Sequence, residues 1–256
     1  MKNKPTTGCL GGGFVGDIIA KYYRDGGYDF KVYDIAKELD PLEEVLKQEV
    51  IFIAFNLKDN CRSKESYEAV ATYARKAPEN RIFIVKSTFI PHTTDKLQAE
   101  FPQHRFVYSP EFLTEATAWW DFTKPHIQIF GCPDESLKIV NDILIPLLPE
   151  APITTVISPL DAEIVKHATN SYYSTKVIFF NELYDACDKL GADYETIRDI
   201  LVKDQRIGDS HSITMHNGYR GFGGKCLPKD CEAFAEVTGS ELLAKVIEIN
   251  GKLKKM

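Results

Sequence analysis

The stretch Gly11-Gly12-Gly13-Phe14-Val15-Gly16 constrains this chain more than any other. It stands between a short apolar run, Thr7 to Leu10, and an amphipathic run that continues to Arg24. Gly-x-Gly-x-x-Gly between a strand and a helix has a physical reading. Gly11 makes the turn, Gly13 lets the backbone approach a pyrophosphate, and Gly16 permits close helix–strand packing. The helix N-terminus, opened by Phe14 and Val15, offers N–H groups and a positive dipole end to phosphates. Phe30-Lys31-Val32-Tyr33-Asp34 then reads as a second strand ending in an acid, about 20 residues on. Asp34 can hold the ribose hydroxyls of NAD and repel the extra phosphate of NADP. A structural glycine turn with a solvated aspartate is the alternative on these residues alone.

The rest of the first part repeats the alternation. Val50–Phe55, Arg81–Lys86, Arg105–Tyr108, Ile127–Phe130 and Ile153–Val156 read as strands. Helices are expected at Ser63–Ala77, Thr93–Phe101 and Asp134–Leu147. This predicts an α/β fold with a doubly wound parallel Rossmann-type sheet over residues 1–157. Ser158-Pro159-Leu160-Asp161 then opens a helix with a capping serine and a proline at its first position. No breaker follows until Gly191, so the helix should be roughly 45–50 Å long. Gly191-Ala192-Asp193 starts another helix, and Ser240 to Lys255 is amphipathic. Residues 158–256 therefore read as an all-α domain. The middle of the long helix, Tyr172 to Tyr184, is apolar on nearly every face. This predicts burial all round, with Phe180 at a twofold contact with a second copy, hence a homodimer.

The bulk numbers exclude some classes. A net charge of −6 over 256 residues argues against nucleic-acid binding. The apolar run Val50–Phe55 is too short to span a membrane, and the glycines at 11–13 break any signal-peptide core. Six cysteines (Cys9, Cys61, Cys132, Cys187, Cys226, Cys231) without regular spacing fit reduced thiols in the cytoplasm. His211 and His216 have no carboxylate or thiol at ligand spacing, so they are read as loop residues and no metal is expected.

Four places carry candidate chemistry. Gly221-Phe222-Gly223-Gly224-Lys225-Cys226-Leu227-Pro228-Lys229-Asp230 puts a thiol after a glycine-rich turn, beside two lysines and at a helix start. These favour a thiolate nucleophile, although a plain turn with an ordinary cysteine fits equally well. Lys166 and Asn170, four apart, can stabilise an oxyanion or form a surface pair. Glu111 and Glu115 would share a face if their segment were helical, as base and cofactor contact or as solvated acids. Lys86-Ser87-Thr88 ends a strand, its hydroxyls within reach of a cofactor or a water, or simply in a turn before Pro91.

The stretch from Gly221 to Asp230 resembles the active-site signature of the UDP-glucose/GDP-mannose dehydrogenase family. So do Ser109-Pro110-Glu111-Phe112-Leu113-Thr114-Glu115 with Asp121 and Pro125, Ala162-Glu163-Ile164-Val165-Lys166-His167-Ala168-Thr169-Asn170, Asn181-Glu182 and Arg206-Ile207-Gly208. The resemblance implies NAD-dependent four-electron oxidation of a nucleotide sugar, UDP-glucose to UDP-glucuronate being the expected case. Cys226 would be the nucleophile, Lys166 and Asn170 the oxyanion partners, and Asp230, Thr88 and Glu111 the groups that orient water. Gly11, Gly13, Phe14, Val15, Gly16, Asp34, Thr88, Glu115 and Lys229 would contact NAD. Glu111, Phe112, Leu113, Lys166, Asn170, Arg206, Phe222 and Gly223 would contact the substrate. The chain departs from the family pattern at Phe55-Asn56-Leu57, where a Pro-Thr-Pro type loop is usual, and in a lengthened loop from Asp209 to Arg220. In the family the last helix leads into a domain that grips the nucleotide, so a separate nucleotide-binding domain is among the expected partners. The rival expectations are a β-hydroxyacid dehydrogenase, which would transfer one hydride and not need Cys226, and a non-catalytic NAD-binding remnant.

Overall fold

The computed structural model describes residues 4–55, 64–216 and 218–255. Asn56, Leu57, Cys61 and Ser63 lie outside the described residues, as does Asn217 within the lengthened loop. The chain divides into two compact units, Met1–Lys166 and His167–Met256.

The first unit is built on seven strands: β1 Thr7–Leu10, β2 Lys31–Tyr33, β3 Val50–Ile53, β4 Ile82–Val85, β5 Arg105–Tyr108, β6 Ile127–Gly131 and β7 Ile153–Ile157. Their order is β2-β1-β3-β4-β5-β6-β7. The period of two along each strand distributes side chains to two cores. Ile51, Ile53, Phe83, Val85, Phe106 and Tyr108 pack on one face with Val70 of α3 (Lys64–Lys76) and Leu97 of α4 (Thr93–Glu100). Val50, Phe52, Ile82, Ile84 and Val107 pack on the other face with Ile19 and Tyr23 of α1 (Phe14–Asp25). Helices cover both faces, so the sheet is doubly wound.

One local expectation changes, and two details are added. β5 and β6 meet antiparallel, through the pair Tyr108–Gly131, so the sheet is parallel except at that junction. The helix expected over Asp134–Leu147 is present over that whole span but is not uniform, running as a 3-10 turn at Asp134–Ser136, α6 (Leu137–Ile139), a π turn at Val140–Leu144 and α7 (Ile145–Leu147). Pro146 has no N–H to give to the preceding turn. Two further helices, α2 (Leu42–Leu46) and α5 (Ala118–Thr123), are too short to show a helical period in sequence.

α8 runs from Pro159 to Leu190, 32 residues, about 48 Å at 1.5 Å each. The Asp161 N–H donates to Ser158 Oγ at 3.1 Å and the Ser158 hydroxyl to the Asp161 carboxylate at 2.7 Å, which fixes the start. Gly191, at φ 71°, stops it.

The second unit contains most of α8 together with α9 (Tyr194–Leu201), the hairpin β8 (Met215–His216) and β9 (Tyr219–Arg220), α10 (Leu227–Thr238) and α11 (Glu241–Leu253). The hairpin occupies the lengthened loop. The expectation of burial all round α8 is not met within the chain. Tyr172 and Phe179 are each 59% exposed, whereas Phe180 is only 1% exposed. Phe180 packs with Cys187 and Tyr194 of its own unit, so it is a core residue and not a surface one. Among the described residues no helix is long and apolar enough to cross a membrane.

Candidate active site

The glycine loop follows β1, at the point where β2 and β3 flank it on opposite sides. That reversal of strand order is where doubly wound sheets place ligands. Gly11 has φ 108°, and a Cβ there would lie 2.6 Å from the Ala54 backbone. A Cβ on Gly16 would lie 1.9 Å from the Gly11 carbonyl. These two glycines are required by the fold itself. Among the described residues nothing lies within 4 Å of where a Cβ on Gly13 would be. Among the described residues no side chain caps α1, which leaves its first N–H groups available to an anion. Phe14 is 51% exposed beside them, and Val15 packs against the core. Asp34 accepts the Gly12 N–H at one oxygen and the Ala36 N–H at the other, both at 2.8 Å. The carboxylate is thereby held at the loop with lone pairs to spare. Lys37 donates to the Gly12 carbonyl and lies 3.2 Å from Asp17.

A second cluster lies beyond β4 and β5. Lys86 is buried, and its Nζ is 2.9 Å from Ser109 Oγ. Burial pushes its pKa down to about 7, against the opposing pull of the Glu111 charge. Ser87 donates its hydroxyl to the Phe55 carbonyl at 2.8 Å, and Thr88 is buried beside it. Lys166 Nζ donates to the Glu111 carbonyl at 2.6 Å, lies 3.9 Å from the Glu111 carboxylate and sits over the Phe112 ring. Lys86, Glu111, Phe112, Leu113, Asp121 and Gln128 line a cavity of about 90 Å³.

The segment carrying Glu111 and Glu115 is not helical, so the two acids share no helix face. Glu111 instead accepts the Leu113 N–H at 2.7 Å, and Asp121 accepts the Thr114 N–H and Thr117 hydroxyl, each at 2.8 Å. Those local bonds compete with a helix from Glu111 onward and delay α5 to Ala118. Glu115 is exposed on the intervening turn.

In the second unit Cys226 is exposed and occupies the N-cap position of α10. One turn in, Asp230 is 1% exposed. Asn170 Nδ2 donates to Asp230 Oδ2 at 2.5 Å, and Lys229 Nζ lies 3.5 Å from Oδ1. Among the described residues Oδ1 has no hydrogen-bond partner, a cost that a bound water or hydroxyl would relieve. Phe222 is buried, and Gly223 has no room for a Cβ because the Tyr219 hydroxyl would lie 2.0 Å from it. Arg206 is 89% exposed and pairs with Asp204 at 2.6 Å. His211 lies in a turn, as a loop residue would, with its ring stacked on Tyr173 at 4.1 Å between centroids, whereas His216 belongs to β8.

Residues 160–252 match the central domain of the UDP-glucose/GDP-mannose dehydrogenase family. The UDP-glucose 6-dehydrogenase of Rickettsia felis is 32% identical over 200 residues, which is 73% of this chain and 43% of that protein. The chain belongs to this family. It spans less than half the length of that curated relative. A UDP-glucose dehydrogenase from the hyperthermophilic archaeon Pyrobaculum islandicum superposes with TM-score 0.79 at 26% identity, over 98% of this chain and 68% of that one. A 3-hydroxyisobutyrate dehydrogenase from Mycobacterium tuberculosis shares the fold as well, with TM-score 0.72 at 15% identity, over 98% of this chain and 94% of that one.

Two residues, one in a family motif and one at a strand end, have environments that the sequence does not announce. Glu163 is wholly buried. It accepts the His92 N–H at 2.7 Å, the Thr94 N–H at 2.8 Å and the Thr94 hydroxyl at 2.7 Å, capping α4 from α8. Burial raises its pKa to about 7 although those three bonds favour the anion. Lys86 is the other. Glu163 stands in the Ala162–Asn170 motif and Lys86 just after β4, and nothing in their immediate neighbours marks either as buried.

Proposed function

We propose that this chain carries the NAD-binding domain (residues 1–157) and the helical catalytic domain (158–256) of a nucleotide-sugar 6-dehydrogenase acting on UDP-glucose. One observation carries the reading: Asp230, buried, braced by Asn170 and left with an empty acceptor, one turn into the helix that Cys226 begins. A thiol together with a water-holding carboxylate is what aldehyde-to-acid oxidation needs, and a one-hydride alcohol dehydrogenase needs neither. The likeness to 3-hydroxyisobutyrate dehydrogenase is one of fold and does not supply this pair.

The open space at Gly13, the uncapped start of α1 and the two free-lone-pair oxygens of Asp34 fit a dinucleotide with unphosphorylated ribose. Bound there, NAD supplies a hydride acceptor, used twice per substrate. The chain's own groups do the rest. The Cys226 thiolate adds to the aldehyde carbon, forming a C–S bond and an alkoxide. Lys166, which gives one N–H to the Glu111 carbonyl, has further donors for that oxyanion. Asn170 gives an amide N–H to Asp230 and so orients that carboxylate as well as standing as an oxyanion donor. After the second oxidation the carbon is a thioester. Asp230, with Thr88 and Glu111, would hold the water whose attack breaks the C–S bond, returning the thiolate and releasing the carboxylate. Glu115 and Lys229 are assigned to NAD, and Phe112, Leu113, Arg206, Phe222 and Gly223 to the substrate. A homodimer through the exposed face of α8, and a nucleotide-binding domain as partner, complete the proposal.

The test is the count of NADH formed per UDP-glucose consumed. Two are expected, and Cys226→Ala should make no UDP-glucuronate while binding NAD within a few-fold of the parent. One NADH per substrate, or carboxylate formation at the parent's rate by Cys226→Ala, would replace this reading with the single-hydride one.

A further inference from the structure

We infer that Asn250, on α11, is a positioning residue for the loop that presents Cys226. Its side chain is 7% exposed and makes both possible bonds to the backbone of one residue. The Phe222 N–H donates to Asn250 Oδ1 at 2.8 Å, and Asn250 Nδ2 donates to the Phe222 carbonyl at 3.1 Å. The amide therefore acts as one rung of a sheet edge would, fixing the loop where it has no strand to pair with. Only a planar group with one acceptor and one donor can do this. Aspartate lacks the donor, and leucine, of similar size, lacks both.

The rest of the loop is shaped around that clamp. Gly221 sits at φ 81°, and a Cβ on it would lie 2.4 Å from Asn250 Oδ1, so its missing side chain is what admits the amide. The Phe222 side chain is buried with Leu243, Val246 and Leu253, which anchors the same residue from its other end. Gly223 and Gly224 have no side chains to hold the path onward, and Cys226 follows at the N-cap position. The direction in which the chain enters α10, and hence where the thiol stands relative to the first N–H groups of that helix, is set at Phe222. A helix N-terminus favours a nearby thiolate in general, so Asn250 acts on Cys226 through the backbone that places it there.

This inference deepens the proposed function by taking Cys226 as the reacting group, but its test needs no turnover. The whole chain is alkylated with iodoacetamide across a pH series, and modification is mapped to each cysteine by mass spectrometry. Cys231 and Cys187, buried in the same unit, report whether the fold is intact. In Asn250→Asp and Asn250→Leu the alkylation midpoint or limiting rate of Cys226 should change about threefold or more, while Cys231 and Cys187 stay protected. Gly221→Ala should perturb Cys226 less in an Asn250→Ala background than in the parent, because the clash with Oδ1 is gone. A parental Cys226 profile in folded Asn250 variants would overturn the inference. So would strictly independent effects of Gly221→Ala and Asn250→Ala. Exposure of Cys231 together with Cys226 would also overturn it, since Asn250 would then hold the unit and not the loop. None of these outcomes depends on which substrate is oxidised.

Discussion

Lys86 and Glu163 are held against their ordinary chemistry, and both effects are readable as stability. Burial raises the Glu163 pKa to about 7. Between the normal carboxylate range and that value the native state binds a proton that the unfolded chain does not, so stability falls as pH rises through this window. Burial lowers the Lys86 pKa to about 7. Above that value the native amine is neutral while the unfolded one stays protonated up to about 10, so stability rises with pH there. Together the two groups contribute a trough near neutrality. Urea unfolding at a series of pH values should show Glu163→Gln flattening the acid-side fall and Lys86→Met flattening the alkaline-side rise. If each variant kept the parent's slope in its own window, the assignment would fail. Asp34 carries a separate prediction. On the proposed reading, in which the acid would supply both ribose contacts and repulsion, Asp34→Ala should weaken NAD and relax the bias against NADP, measured by titration of both. Equal use of the two by the parent would contradict it.

Among the elements, α8 shows how neighbours in sequence can have opposite fates. Phe179 and Phe180 lie about 100° apart around the helix, and one is 59% exposed while the other is 1% exposed. A sequence apolar on every face indicates burial without saying which residues the chain itself covers. Phe180→Asp should therefore unfold the helical unit, since it buries an unpaired charge beside Cys187 and Tyr194. Phe179→Asp should leave a folded protein that, if the proposed homodimer forms through this face, no longer pairs, since Tyr172 and Phe179 are exposed apolar surface there. Size measurement in solution with circular dichroism separates the two. A monomeric parent, or a Phe179→Asp variant that remains dimeric, would remove this face as the contact.

For the molecule as a whole, what could be read from sequence was what is encoded within a few residues. All seven strands of the sheet were legible because apolar runs, glycine turns and caps repeat at short period. Gly11, Gly16 and Gly191 are glycines for local backbone or packing reasons, and Ser158 caps its helix from three residues away. The family motifs likewise singled out Cys226, Asp230 and Lys166, each within its own short stretch of sequence. What only the tertiary structure decided was which polar groups are buried and what each is bonded to. Lys86 meets Ser109 across 23 residues, Asn250 meets Phe222 across 28, and Asn170 meets Asp230 across 60. The same holds for the antiparallel junction of β5 and β6, which no local period distinguishes from a parallel one. Turn geometry and periodicity arise from forces between near neighbours along the chain. The solvation of a buried amine or carboxylate depends on elements brought beside it by folding, and its immediate neighbours in sequence do not record them.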